Sequence, residues 1–486
     1  MSMVEKTMRC TKALVFIICG IGILYGQKDP DAATVVAEFG KHRITLKEFR
    51  IAYLQLLKNP RTFDSKELRR QFLDELIQRC ILSKEAERLG FAKSEILTNE
   101  VEAFRDKALR TQHFEKVIKP KFTIHEDEIE EAYMFTQESR KIKHLFYKTK
   151  EQADSAYSAL SCGASFDSLA HICFKDSTLA NSGGDLGWVE WDQLEYDMAK
   201  AAFRQPVNMI SEPIKSSFGY HLIEVTDFKK KPLITRYEYL VHKRKVKHLL
   251  EFKLGDKYGF EYVGAMMSKL HVAYNTDVME FVENKLKDLF KRKPSALDQT
   301  SEYQLFDSEI QKVEMSLWDA RNEVMATVNG KNITVGMFIG DLIYIPYNAL
   351  YKSFKWTFEY VLRDFFLTQE ATALGLDKNE DVLIRTNLFR NYSLQLAYRR
   401  EIVRHVTVEE KEIKAYYDSH KKECNGATYD QMKETFWNLV LTEKKQKVIP
   451  DLVKMLTHGM VIKKNIKAID DYYEGVKKGD IQQVGY

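Results

Sequence analysis

Cysteine, proline and glycine are all scarce in this 486-residue chain. Six Cys, none in a C-x-x-C pair, offer neither a zinc ribbon nor a redox motif. Nine Pro and 22 Gly exclude a fibrous or low-complexity chain. Charge of one sign is missing too: 74 Lys and Arg stand against 70 Asp and Glu, a net +4. Nucleic-acid binding usually needs a much more basic domain. The apolar run at 13–26 is shorter than the roughly 20 residues a membrane-spanning helix needs. What remains is globular: 44% hydrophobic and 30% charged residues. At roughly 150 residues per domain the chain holds about three domains. Nothing in the composition asks for a cofactor or a metal.

The N-terminus has a distinct design. Lys6, Arg9 and Lys12 precede ALVFIICGIGILYG, and small Gly26 stands before the polar QKDPD. A basic head, a short apolar stretch and a small residue are the parts of a secretory signal peptide over 1–26. The alternative is an uncleaved anchor in the inner membrane. Cys19 does not read as a lipidation site, because Ile17 and Ile18 stand where small residues are expected. Cleavage leaves Cys80, Cys162, Cys173 and Cys424, scattered without a disulfide framework. Cys80 falls in a helical pattern and reads as a small buried residue. The expected mature protein is soluble and exported, with the periplasm as its place.

The chain repeats itself. VAEFGKHRITLKEF (36–49) matches MATVNGKNITVGMF (325–338), and LSKEAERLGF (82–91) matches LTQEATALGL (367–376). TIHEDEIEEAY (123–133) matches TVEEKEIKAYY (407–417), and YVGAMMSKLHVAYN (262–275) more weakly matches LVKMLTHGMVIKKN (452–465). Four collinear matches imply a duplication. Each copy opens with strand, turn and strand. A long amphipathic helix follows in the first, with Phe72, Leu73, Leu76, Ile77, Ile81 and Leu82 near the 3.6-residue period, stopping at Gly90. More helices and a short apolar strand close the unit. The last two matches lie about 95 residues further apart in the first copy than in the second.

That extra piece has its own texture. KIKHLFYKT (141–149) reads as a strand, KEQADSAYSAL and FDSLAHICF as helices, and NSGGDLGWVEW as a Gly-rich loop. A short helix near YDMAKAAF and two strands, ISEPI and YHLIEVTD, complete a β-α-α-α-β-β order. The expected fold class is α+β: a mostly helical module with internal duplication and one inserted α/β domain. The expected segments are a signal at 1–26, a first helical unit at 27–137, the insert at 138–229, closing helices and connector at 230–320, and a second unit at 321–486.

KHLF with His144, GGDLGW (183–188), MISEPI (209–214) and FGYHLIEV (218–225), in this order, resemble the parvulin family of peptidyl-prolyl isomerases. The resemblance covers 140–228. The helices around it look like the core of exported chaperone-isomerases of the SurA and PrsA type. The resemblance implies a proline pocket lined by Leu186, Leu194, Met198 and Phe218, with Met198 where the family usually has Phe. It implies paired imidazoles, His144 and His221, on adjacent strands, and a polar group, Asp176, at the start of the loop. No cofactor or metal is implied. An X–Pro bond rotates over a barrier near 18–20 kcal/mol, and its twisted transition state loses amide resonance. A catalyst therefore needs an apolar pocket and a few polar groups, not a nucleophile. Gly183, Gly184 and Gly187 read as backbone-permissive positions, because no Gly-Lys-Ser/Thr follows to make a phosphate cradle.

Outside the insert, the aromatic and Met-rich segments at 258–267 and 338–358 read as core, or as a groove for unfolded chains. HKRKVKH (242–248) reads as a solvated helix face. Residues 276–322 join the copies without an assignable role. The expected activity is prolyl cis/trans isomerisation of unfolded or nascent exported polypeptides, including outer-membrane proteins. The alternative is a catalytically weak holdase that binds the same chains.

Overall fold

The computed structural model describes residues 33–477, apart from 58–61, 175–176, 232–234, 290–304, 306, 343–344, 346–349, 351–352 and 425. The apolar N-terminal run, and with it the expected export signal, lies outside the described residues. Those described divide into two compact units, one of 109–374 and the other of 33–108 with 375–477.

The described residues open with a hairpin, β1 (Val35–Phe39) and β2 (His42–Thr45), then α1 (Leu46–Leu57), α2 (Lys66–Arg88) and α3 (Glu95–His113). α4 (Glu126–Phe135) leads into the insert. There β3 (Glu138–Tyr147) precedes α5 (Lys150–Ser161), α6 (Phe166–Cys173), α7 (Ser177–Asn181) and β4 (Asp185–Glu190). α8 (Tyr196–Arg204), β5 (Ile214–Lys215) and β6 (Tyr220–Lys230) end it. The long α9 (Arg236–Met267) leads out to β7 (Val272–Tyr274), α10 (Thr276–Leu289) and α11 (Asp307–Leu317). A second hairpin, β8 (Val324–Val328) and β9 (Lys331–Thr334), opens the rest. It continues with α12 (Val335–Leu342), α13 (Phe354–Ala373), α14 (Glu380–Arg404), α15 (Glu410–His420) and α16 (Tyr429–Leu456). β10 (Ile462–Lys464) and α17 (Ile466–Lys477) close the described chain.

Local chemistry sets these boundaries. Ser65 Oγ accepts the Leu68 N–H at 3.0 Å and caps α2, with Glu67 in the first turn. Past its end, Gly90 takes the left-handed conformation (φ 91°), as Gly375 does (φ 73°) beyond α13. The apolar stripe of α2 then enters one core with Val36, Phe39 and Phe49, where each fully buried side chain contributes roughly 1.5–3 kcal/mol.

The two hairpins share one register, with an irregularity between Val35 and Ala37 in one and between Val324 and Ala326 in the other. Each is completed from far along the chain. β10 pairs with β1 (Ala37↔Lys464) in the order β10-β1-β2, and β7 pairs with β8 (Tyr274↔Ala326) in the order β7-β8-β9. Asn465 N–H donates to Val36 O at 2.8 Å, and Asn275 N–H to Met325 O at 2.9 Å. The helix after each closing strand follows it. α17 buries Ile469 and Tyr473 on the first hairpin's core, where the Arg69 guanidinium lies 4.3 Å over the Tyr473 ring. α10 buries Val282 and Leu286 on the second. Residues 276–317, where they are described, therefore act as packing elements of the second sheet. A three-residue strand carries no period of its own, so this pairing is invisible in local sequence.

The helical hairpins α4/α9 and α15/α16 also match. Tyr133 meets Tyr239 edge-on at 5.3 Å, and Tyr417 meets Tyr429 at 5.7 Å. Glu126 pairs with Lys243 at 2.6 Å, and Glu410 with Lys433 at 2.6 Å. The basic run 242–248 is mostly exposed, with only Val246 turned to the core. In 338–358, Phe338 and Phe358 are buried in the core of the second sheet.

The insert is a four-stranded antiparallel sheet, β4-β3-β6-β5, closed at its own ends by Glu138 opposite Lys230. Two expectations need correction. The segment read as a loop (NSGGDLGWVEW) contains edge strand β4, and short α7 precedes it. Glycines and a single buried residue, Val189, hide the strand's alternation. ISEPI is mostly not a strand: only Ile214 of it lies in β5, because Pro213 has no N–H for a ladder.

Candidate active site

β3 and β6 bring the two histidines together. His144 faces Ile223 across the ladder, and His221 faces Phe146. Successive side chains alternate along a strand, so both imidazoles lie on the same face. Their ring centroids are 5.7 Å apart, and no hydrogen bond joins them. His144 is fully buried and His221 is 3% exposed. The Phe174 ring packs edge-on against His144 at 5.2 Å. Burial pushes the His144 pKa down to about 4 and that of His221 to about 3, where the neighbouring His144 adds to the effect. Both rings are neutral at pH 7.

The glycine turn fixes β4 beside His144. Gly183, Gly184 and Gly187 have φ of 64°, 78° and 72°, conformations that favour glycine. At Gly184 a Cβ would lie 2.3 Å from the His144 carbonyl oxygen. The His144 N–H donates to Gly184 O at 2.9 Å, so the close approach carries the ladder itself. Asp185 Oδ1 accepts the Gly187 N–H at 2.7 Å.

Of the expected pocket residues, Leu186, Leu194 and Met198 share one apolar cluster with Ile223. Met198 is only 2% exposed. Phe218 sits half-buried on the turn between β5 and β6, which a relay of contacts holds. His221 Nε2 is 2.9 Å from Ser216 Oγ, and that oxygen accepts the Phe218 N–H at 3.1 Å. The Glu195 carboxylate accepts the Ser217 N–H at 3.1 Å, and burial raises the Glu195 pKa. Asp176 lies outside the described residues.

Sequence reasoning missed Ser216, Glu195 and Lys253. Lys253, buried on α9, donates to the carbonyl oxygens of Leu194 and Asp192, fastening α9 to the segment that precedes α8. α9 carries five lysines, and nothing in the sequence sets Lys253 apart from the others. Cys173 was read only as unpaired. Its thiol donates to Phe146 O at 2.7 Å, and burial raises its pKa. Among the described residues no group of three or more His, Cys, Asp or Glu side chains is placed to hold a metal.

Residues 127–229 match the model of the PPIC-type PPIase domain, and residues 2–121 that of the SurA-like N-terminal domain. A parvulin-like PPIase of Rickettsia felis is 25% identical over 45% of this chain and 80% of its own length. The foldase protein PrsA of Geobacillus kaustophilus is 33% identical over 22% of this chain and 38% of its own. Among solved structures, the parvulin NmPin of Nitrosopumilus maritimus is 32% identical, covering 18% of this chain and 96% of that one, with a TM-score of 0.17. By these family models residues 127–229 form a parvulin-type peptidyl-prolyl isomerase domain, and residues 2–121 a SurA-like N-terminal domain.

Proposed function

We propose that the protein is an exported chaperone-isomerase that holds unfolded polypeptides and turns their X–Pro bonds in the pocket of the insert. The apolar cluster of Leu186, Leu194 and Met198 beside two neutral imidazoles, with Phe218 held on the adjoining turn, carries this reading. A planar amide is polarised by resonance, and the rotated amide is less so. An apolar surround therefore disfavours the ground state more than the transition state, and that difference is catalysis. Phe218, with the apolar cluster, would grip the proline ring. His221 acts as a positioning residue, through Ser216, on the turn that carries Phe218. His144 fills the space beside it as a neutral ring, and Asp176 keeps its polar role on the family pattern alone.

Two copies of one helical unit, the first interrupted by the isomerase domain, would supply the binding module. The matched Tyr–Tyr and Glu–Lys contacts of the two helical hairpins support that origin. The basic and apolar N-terminus supports cleavage near Gly26 and export to the periplasm, with exported and outer-membrane chains as clients. An intact N-terminus on protein recovered from the membrane fraction would replace cleavage by anchoring.

Refolding of a denatured client whose slow phase is a prolyl isomerisation tests the catalytic part. The protein is expected to speed that phase at substoichiometric amounts. An unchanged slow phase, with aggregation still suppressed, would leave a holdase only.

A further inference from the structure

Glu195 stands at the N-cap of α8, the helix that carries Met198. A polar side chain in that place ordinarily turns back to accept an N–H of its own helix. Glu195 makes no such bond. Its carboxylate reaches instead to the turn between β5 and β6 and accepts the Ser217 N–H at 3.1 Å. The neighbouring donors stay within the hairpin. Ser216 N–H donates to Gly219 O at 2.8 Å, and Phe218 N–H to Ser216 Oγ at 3.1 Å. Of these three donors only the Ser217 N–H leaves the hairpin. It joins the residue before Phe218 to the residue after Leu194, so the bond spans two sides of the proposed proline pocket.

The base of this bond is itself held. Lys253 of α9 donates to the carbonyl oxygens of Leu194 and Asp192, and its ammonium lies 4.9 Å over the Trp191 ring. When Tyr239 is aligned with Tyr429 and Lys243 with Lys433, Lys253 corresponds to Glu443 of α16, a helix that leads out of no inserted domain. Trp191, Asp192 and Leu194 are thus fixed immediately before Glu195. A side chain on a fixed base that bonds a neighbouring turn constrains where that turn sits.

We propose that Glu195 is a positioning residue of the isomerase: its carboxylate holds the turn that presents Phe218 in place against Leu194 and Met198. The proposal rests on the isomerase reading of the pocket. A hydrogen bond to an ionised carboxylate is roughly twice as strong as a neutral one, so the hold weakens when Glu195 takes up a proton. Burial raises the Glu195 pKa; the Ser217 N–H and hydroxyl and the Lys253 charge oppose the rise, and Asp197 adds to it. Asp192, Lys215, Asp256 and Lys257 line the same cavity between α9 and the insert. His144 and His221 titrate at about 4 and about 3, below the ~4.3 of an unperturbed glutamate. The range above ~4.3 therefore separates Glu195 from the imidazoles.

Isomerisation of an X–Pro peptide by the full protein, followed from about pH 4.5 to about pH 8, tests this with a readout that packing alone would not move. In wild type kcat/KM should fall toward acid, with an inflection above ~4.3. Glu195→Gln keeps an acceptor for the Ser217 N–H but cannot ionise. It should retain about a third of the activity at pH 7 and lose the inflection. Glu195→Ala should lose about tenfold, the order of one hydrogen bond to a charged group, and still melt cooperatively. Amide hydrogen exchange gives a second reading without turnover. The Ser217 amide should exchange roughly tenfold faster in Glu195→Ala, and the strands that carry His144 and His221 should not change. Full activity in Glu195→Ala, an acid inflection that survives in Glu195→Gln, or unchanged exchange at Ser217 overturns the proposal. Faster exchange at Ser217 in a protein that isomerises no peptide at any pH would instead sink the isomerase reading and leave Glu195 holding the turn.

Discussion

The hairpins α4/α9 and α15/α16 are built from the same contacts and carry different loads. Each has an edge-on tyrosine pair and a Glu–Lys bridge near its open end. Each also starts with a capping box, from His125 to Glu128 and from Glu409 to Glu412. Between the helices one hairpin holds a whole domain, and the other only the short connection from His420 to Tyr429. The hairpin tolerates the domain because the insert closes on itself, Glu138 pairing with Lys230 at 2.9 Å where the chain enters and leaves. Insertion at such a point adds a folded body without stretching the helices that carry it. Further along, the helices diverge. Lys253 of α9 is buried against the isomerase domain, whereas its counterpart on α16, Glu443, lies in a shallow groove with Tyr416 and Lys447.

The comparison can be broken at several levels. The largest effect is expected from replacing 138–229 with a short turn. Isomerase activity should fall to the uncatalysed rate while helical circular dichroism and a cooperative melt persist. Collapse of the whole fold would show that the insert is structural. Next come Tyr133→Ala and Tyr417→Ala, each expected to cost roughly 3 kcal/mol in urea unfolding, since each removes one of two packed rings. A large difference between the two would break the equivalence of the hairpins.

Gly184→Ala should cost roughly 2–3 kcal/mol, because the methyl would meet the His144 carbonyl at 2.3 Å in a left-handed backbone. Gly187→Ala, with nothing within 4 Å, should cost only about 1–2 kcal/mol. Thermal melts of the two variants, compared with wild type, check that order.

The insert's buried pair also predicts a pH dependence. An unfolded histidine titrates near ~6.5, whereas His144 and His221 titrate at about 4 and about 3 in the fold. Above about 6.5 both states are neutral and stability is level. As pH falls below that, the unfolded chain takes up protons that the folded one refuses. Stability is then lost progressively down to the folded pKa values. His144→Gln should remove about half of this slope between pH 6.5 and 4.5, leaving the share of His221, and an unchanged slope would contradict the buried neutral pair.

Much of this was legible locally. The amphipathic stripe of α2, the glycine turn at 183–187 and the strands that carry His144 and His221 announce themselves through period, φ preference and motif. The exchange of closing strands was not legible, because Ala37↔Lys464 and Tyr274↔Ala326 join residues with no local signal. Strand β4 hid behind its glycines. The two-sided packing of α9 could not be seen either: within YGFEYVGAMM, Tyr258 and Tyr262 pack on Phe114 and Ile118, while Phe260 turns to Phe218. A helix that serves two neighbours shows no single period.

The claim that catalysis resides in the insert is tested most directly by NMR exchange spectroscopy on an X–Pro peptide. With catalytic amounts of the protein, cis/trans exchange cross-peaks should appear at mixing times far below the tens to hundreds of seconds of the unaided reaction. They should vanish for Phe218→Ala and for the protein lacking 138–229. Exchange no faster than in the peptide alone, or exchange that persists after the deletion, would contradict it.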